Sequence, residues 1–110
     1  MIRESHNIQH RGAALLMRLK SVMITADIWS SQMPSAQALA SQQPFACDTL
    51  TFEQWLQFIF IPRLDALFSR GEIAPPMSIL PMAHMTWGHD HQVVQAVISE
   101  FDEWSKTVHG

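Results

Sequence analysis

Apolar residues along the 110-residue sequence recur every three or four positions, and no segment shows the strict alternation of a half-buried strand. The first such stretch predicts a helix over residues 8–29. Gly12 weakens a helix interior, which favours a start after it. The apolar stripe of this helix consists of Leu15, Leu16, Leu19, Val22, Met23, Ala26 and Trp29.

A second helix is predicted from Thr51, which forms with Gln54 the S/T-x-x-E/Q pattern of a capping box. The run FEQWLQFIFIPRLDALF that follows leaves almost no polar face, so this helix should be central and Trp55 should be core. Pro62 lies inside the run. Proline lacks an amide N–H and clashes with the carbonyl four residues earlier, so it predicts a kink or break. Gly71 predicts the end of the helix.

The rest of the chain is punctuated by proline. Residues 30–50 are rich in Ser, Gln, Ala and Pro and predict a long linker over the helices, anchored by Phe45. Residues 81–87 predict a short helix that Gly88 ends. A last helix should begin near Asp90 as its N-cap. Its apolar stripe is Val94, Val97, Ile98, Phe101, Trp104 and Val108, and its charged residues outside the stripe are Glu100, Asp102, Glu103 and Lys106.

These elements predict an all-α fold. Three substantial helices and one short one favour a compact four-helix bundle, with a long linker after helix 1 and a proline-kinked central helix 2. At 110 residues, the chain has the length of a single helical domain, residues 1–110.

Composition narrows the classes of function. With 47% hydrophobic and 15% charged residues, the chain is globular. Its net charge of -3, without a basic run, argues against direct binding to DNA or RNA. A single cysteine excludes a disulfide within the chain and fits a reducing compartment. The sequence shows no signal peptide and no membrane-spanning run, so the expected location is the cytoplasm.

Candidate chemical groups are few. His84, His89 and His91 could ligate a metal, but a structural tetrahedral site needs four closely spaced ligands, so no metal site is predicted. Cys47 has no nucleophile signature around it and is expected to be a small buried apolar side chain. No cofactor is predicted either.

Two polar sets remain open to more than one interpretation. Asp48, Thr49 and Arg63 could bind an anion or do acid–base chemistry. The favoured alternative is structural: Asp48 or Thr49 bonds the turn that enters helix 2, and Arg63 pairs with a carboxylate. Gln43 and Gln57 should bond backbone or water rather than a nucleobase edge. No catalytic residue is therefore predicted.

Between Glu72 and Asp90 no residue carries a fixed charge. Methionine and tryptophan provide adaptable contact area, so the segment is a candidate partner surface. The alternative, that it packs on helix 2 and closes the core, stays open. The candidate partner-binding residues are Met77, Ile79, Met82, Met85 and Trp87.

The run QPFACDTLTFEQWLQFIFIPRLDALF resembles the signature of the YqcC-like family, small bacterial helical proteins without an established activity. The matching features are Gln43-Pro44-Phe45, Asp48-Thr49, Trp55-Leu56-Gln57 and Ile61-Pro62-Arg63. The resemblance implies a four-helix bundle with structural roles for Pro44, Phe45, Asp48, Thr49, Trp55, Pro62 and Arg63. Genes of such proteins often lie beside one for a tRNA pseudouridine synthase, which implies either a shared pathway or a complex with that synthase as the partner.

The sequence thus favours a non-enzymatic helical interaction or accessory protein with a protein partner. The resemblance links that role to tRNA pseudouridine modification. The alternative is a small-molecule or metal-binding helical module, and a small enzyme is the least favoured class, because no catalytic constellation is present.

Overall fold

The computed structural model describes residues 2–108, with side chains from residue 10 onward. This part of the chain is helical and contains no strand, which confirms the all-α prediction. Its helices are α1 (Ile2–Thr25), α2 (Ala36–Leu39), α3 (residues 52–69), α4 (Leu80–Trp87) and α5 (Gln92–Thr107). Helix α3 comprises Phe52–Trp55, a π turn at Leu56–Phe60, and Ile61–Ser69.

The hydrophobic core lies where the four longer helices meet. Helix α1 packs against α5 and against the second half of α3, and α4 packs against α5. The most deeply buried large side chains come from three helices: Leu19, Met23, Leu56, Val94, Val97, Ile98 and Phe101. The apolar stripes predicted for α1 and α5 therefore face the core.

Helix α1 continues through Gly12, contrary to the expected start after it. A Cβ atom at this position would lie 2.7 Å from Cζ of Phe68 and 2.7 Å from Cη2 of Trp104. The absent side chain is thus what lets two aromatic rings approach the helix. The helix also ends earlier than predicted, because Asp27 adopts a left-handed conformation with φ of 62°. Trp29 lies beyond the helix and packs on the core.

Gly12→Ala is expected to destabilise the protein, although alanine is the better helix former. Overpacking against the buried Trp104 ring and the half-buried Phe68 ring costs about 1–3 kcal/mol, which outweighs the gain of about 1 kcal/mol in helix propensity. Gly12→Leu should cost more, since more atoms must be accommodated. Urea unfolding followed by circular dichroism measures both variants. A stabilised Gly12→Ala variant would show that the close approach is not energetically important.

Helix α3 contains a π turn directly before the segment with Pro62, the residue at which the sequence predicts a kink or break. Helix α3 begins with the predicted capping box, in which Thr51 accepts from the Gln54 amide and Gln54 accepts from the Thr51 amide. At the π turn, the Ile61 N–H donates to the Leu56 carbonyl, five residues earlier. Pro62 then lies in the first turn of Ile61–Ser69, where a missing N–H costs little.

The segments between the longer helices contain short helical turns that the sequence patterns do not predict. Residues 26–51 contain α2, capped by the Ser35 hydroxyl, and a 3-10 turn at Pro44–Ala46. At the start of α5, Asp90 is not the N-cap as predicted. His91 occupies that position in a left-handed conformation. The Gln95 side chain fixes this turn by donating to the carbonyls of Gly88 and Asp90.

Candidate functional site

The structure divides the charge-poor segment between core and surface. Ile79 and Trp87 are buried, so their side chains contribute to the core of the chain and little to its surface. Met77 and Met82 are half-buried against the core. Met85 is 81% exposed. Of the five candidate residues, Met85 is thus the one whose side chain lies mainly on the surface.

Two buried polar side chains of α5 hold this segment in place. The Asp102 carboxylate accepts from the amides of Ile79, at 2.9 Å, and Leu80, at 2.8 Å. The Ser105 hydroxyl accepts from the Met77 amide at 2.9 Å and donates to the carbonyl of Asp102. By helical periodicity Asp102 lies outside the apolar stripe of α5. It is instead buried, because the backbone at the start of α4 supplies its hydrogen bonds.

Met85→Glu should leave stability within about 0.5 kcal/mol of wild type, as expected for an exposed surface substitution. Ala83→Glu is the matched control on the same helix, because Ala83 is fully buried. It would bury a charge and should unfold the protein or strongly lower its melting temperature. Thermal unfolding by circular dichroism compares the two. A large loss for Met85→Glu would mean that this face of α4 is covered by other parts of the chain.

Motif residues distant in sequence meet in one groove. A cavity of about 410 Å³ is lined by residues of the segment before α3 and of α3 itself. Four of the seven motif residues contribute to it, namely Pro44, Phe45, Trp55 and Arg63, together with the apolar Leu39 and Ile59 and the polar Gln43. We call it the Arg63 groove. Sequence reasoning named these motif residues but assigned them structural roles.

The rim of the Arg63 groove has an unusual backbone. Phe45 and Ala46 both adopt left-handed conformations, with φ of 57° and 49°. Such conformations are unfavourable for residues with a Cβ atom, so other contacts must hold them. The Phe45 ring packs edge-on against Trp55, with centroids 4.8 Å apart. Phe45 is therefore the predicted apolar anchor of the linker, and its half-buried ring also forms a wall of the groove.

Asp48 and Thr49 support the groove from behind. Asp48 accepts a hydrogen bond from the Ser41 hydroxyl, which also accepts from the Gln43 amide. Thr49 donates to the Ala38 carbonyl at 2.7 Å. These contacts tie the 3-10 turn to the chain around α2, and Thr49 also lies within hydrogen-bond distance of the Ala46 carbonyl in the turn that leads to α3.

Arg63 is exposed, and no carboxylate of the described residues pairs with it, contrary to expectation. Other arginines of the described residues do pair with glutamates, Arg18 with Glu100 and Arg70 with Glu72. The Arg63 guanidinium is thus available to a ligand.

A second groove lies between α1 and α3 and is mainly apolar. It has a volume of about 480 Å³, and Pro62 lines it with Leu16, Met17, Trp29 and Ile61. The buried Gln57 side chain also borders it, but both of its amide atoms bond the backbone of Ser30 at 2.7 and 2.9 Å. This pairing with backbone is what sequence reasoning expected of Gln57.

The histidines and the cysteine form no chemical cluster in the described part of the chain. The His84 and His89 rings lie 6.2 Å apart, and no group of three or more His, Cys, Asp or Glu side chains comes close enough to share a metal ion. Cys47 is exposed, so the expectation that it is buried was wrong. Among the described residues, no helix is long and apolar enough to cross a bilayer.

Comparison with known proteins places the chain among relatives of two kinds. A family model described as "DUF446: tRNA pseudouridine synthase C" matches residues 11–106. An uncharacterised protein of Haemophilus influenzae is 40% identical over 60 residues, 54% of this chain and 57% of that protein. The uncharacterised protein YqcC of Escherichia coli is 26% identical over 89 residues, 80% of this chain and 82% of that protein.

The other kind of relative is a longer protein. A protein of Pectobacterium carotovorum subsp. carotovorum named tRNA pseudouridine synthase C is 35% identical over 63 residues, which make up 57% of this chain and 16% of that protein. Most of that relative therefore lies outside the match. No solved structure matches the chain.

Proposed function

Since the chain belongs to the DUF446 family, as its resemblance to the YqcC-like proteins predicted, we propose that it is a non-enzymatic accessory protein of a tRNA pseudouridine synthase. In this role it binds the synthase and supports its work on tRNA, while the chemistry belongs to the synthase. The proposal names one protein partner and no cofactor.

The observation that carries the proposal is the match to the Pectobacterium protein. More than half of this chain is similar to a small part of a longer protein that bears the synthase name. Joining two modules in one chain gives them a high effective concentration for each other. A module that is joined to an enzyme in one protein is therefore expected to associate with that enzyme when the module is a separate chain.

The way the buried polar side chains are used also supports a non-enzymatic role. Gln57, Gln95, Asp102 and Ser105 are the buried polar side chains of the described residues. Each bonds the backbone of a connecting segment, as described above, so each serves to hold the fold. A catalytic site usually leaves such groups directed into a cleft, with partners that activate them.

The proposal is tested with two purified proteins, this chain and the tRNA pseudouridine synthase C of the same organism. Isothermal titration calorimetry measures their association, and pseudouridine formation in tRNA is measured for each protein alone and for both together. We expect a complex, no activity for this chain alone, and a changed rate for the synthase in its presence. Absence of association at tens of micromolar, with an unchanged rate, would refute the proposal.

A small-molecule module remains the second candidate, because the groove between α1 and α3 is apolar and of ligand size. A ligand that binds the native state raises the melting temperature as its concentration rises. Thermal unfolding in the presence of zinc, nickel and a set of apolar metabolites tests this function. If zinc or nickel raises the melting temperature, and His84→Ala and His89→Ala abolish that rise, the metal-binding alternative is favoured over the accessory role.

A further inference from the structure

We propose that the Arg63 groove binds a short acidic segment of the partner protein, in which a carboxylate lies next to an apolar side chain. The carboxylate contacts the Arg63 guanidinium, and the apolar side chain lies against Phe45, Trp55 and Ile59. This inference rests on the proposed function for the existence of a protein partner, and it adds where and how that partner is recognised.

Charge is the first argument for an acidic segment. Among the described residues, Arg63 is the one charged residue that lines the groove, and none of the acidic side chains lines it. The described residues provide it with no carboxylate, whereas Arg18 and Arg70 each pair with a glutamate. Guanidinium presents planar paired donors that match the two oxygens of a carboxylate. The ligand that complements this groove therefore carries a negative charge at that point.

The apolar wall is the second argument. Phe45, Trp55 and Ile59 are half-buried, so part of each side chain remains accessible beside the arginine. Tryptophan and arginine are among the residue types most enriched at the energetic hot spots of protein interfaces. The volume of about 410 Å³ falls within the ~300–1,000 Å³ range of sites that hold small ligands or a few side chains.

Contacts within the chain fix the backbone of the Arg63 groove before any ligand binds. The left-handed Phe45 and Ala46 are held by the packing of Phe45 on Trp55 and by the bonds of Asp48 and Thr49 to the segment around α2. A groove fixed in this way loses little conformational entropy when it is filled. An energetically unfavourable backbone that surrounding contacts maintain is also frequent at ligand sites.

The same features disfavour a nucleic acid as the occupant. Binding along a phosphate backbone requires several cations in a row, and the groove has one. The net charge of the chain is -3, which opposes the approach of a polyanion. One salt bridge next to aromatic side chains is instead typical of a site that binds a short peptide.

The test selects phage-displayed random heptapeptides on the immobilised full chain, and then measures the dissociation constants of synthetic enriched peptides. We expect the enriched peptides to share an Asp or Glu next to an apolar residue. Arg63→Gln should weaken their binding at least about tenfold, the loss expected for one charge-assisted contact. Arg70→Gln, which changes an exposed arginine outside the groove, is the matched control and should leave binding unchanged. Replacing the peptide carboxylate by its amide should reproduce the loss.

Three results would overturn the inference: no enriched peptide, enriched peptides whose binding does not depend on Arg63, or binding of purified total tRNA that Arg63→Gln abolishes. Circular dichroism of Arg63→Gln confirms that the variant is folded, and Arg63→Lys should restore part of the affinity. Titration of the synthase separates the two proposals. If the synthase binds wild type and Arg63→Gln equally well, the groove assignment fails while the accessory role stands.

Discussion

Asp102→Ala should lower the free energy of unfolding by about 3–5 kcal/mol, because one buried and one partly buried amide would each lose a charge-assisted hydrogen bond. Those amides belong to Ile79 and Leu80, at the start of α4, and Asp102 itself is buried. The same substitution removes the negative charge that favours the N-terminus of that helix. The residues that lead into α4 should therefore loosen before the rest of the core.

Urea unfolding followed by circular dichroism measures this loss. Asp102→Asn is the informative intermediate, because it keeps the shape and one acceptor but loses the charge. Glu103→Ala is the control, since Glu103 is exposed on the same helix, and it should change stability by less than about 0.5 kcal/mol. A cost below ~1 kcal/mol for Asp102→Ala would mean that water replaces the carboxylate.

Phe101→Ala is expected to cost about 3–5 kcal/mol, the range for removing a buried aromatic side chain. Phe101 is 1% exposed, and its ring contacts Phe60 and Trp104 with centroid distances of 5.6 and 6.2 Å. The cavity would open where α3 and α5 meet, so the neighbouring rings have little freedom to fill it. Thermal unfolding should show a cooperative transition at a clearly lower temperature.

Trp55→Ala provides the comparison, because the sequence predicted Trp55 to be core and the structure places it at the edge, half-buried. This substitution should lower the free energy of unfolding by about 2 kcal/mol, because only part of the apolar burial and of the aromatic pairing is lost. The indole's ring partners Phe45 and Phe60 also contact the rings of Phe52 and Phe101, respectively, and would keep those contacts. If Trp55→Ala proves as damaging as Phe101→Ala, the groove wall is more important for stability than its exposure indicates.

Local sequence patterns determined the elements that depend on nearest neighbours. The capping box at Thr51 and Gln54 places the start of α3, and Pro81 and Gly88 bound α4. The stripe of Val94, Val97, Ile98, Phe101 and Trp104 gives the buried face of α5. These features follow from helical periodicity and from the hydrogen bonds that helix ends lack, both of which are local.

Tertiary packing determined the positions at which a residue acts on a distant part of the chain. The sequence predicts that Gly12 weakens the helix, yet α1 continues through it because Phe68 and Trp104 pack against the backbone where a Cβ atom is absent. Asp102 reads as an outward-facing charge, yet it is buried because the amides of Ile79 and Leu80 need an acceptor. In both cases the contacting residues lie more than one helical turn away along the chain, so local sequence patterns do not predict the contact.

The same distinction applies to the candidate site. The resemblance to the YqcC-like family identified Phe45, Trp55 and Arg63 as motif residues. Only the fold brings the three to one groove and leaves the Arg63 guanidinium without a carboxylate, because the segment before α3 folds back beside the helix. Which charges pair and which remain free depends on distances between elements, and the order of residues along a chain does not specify those distances.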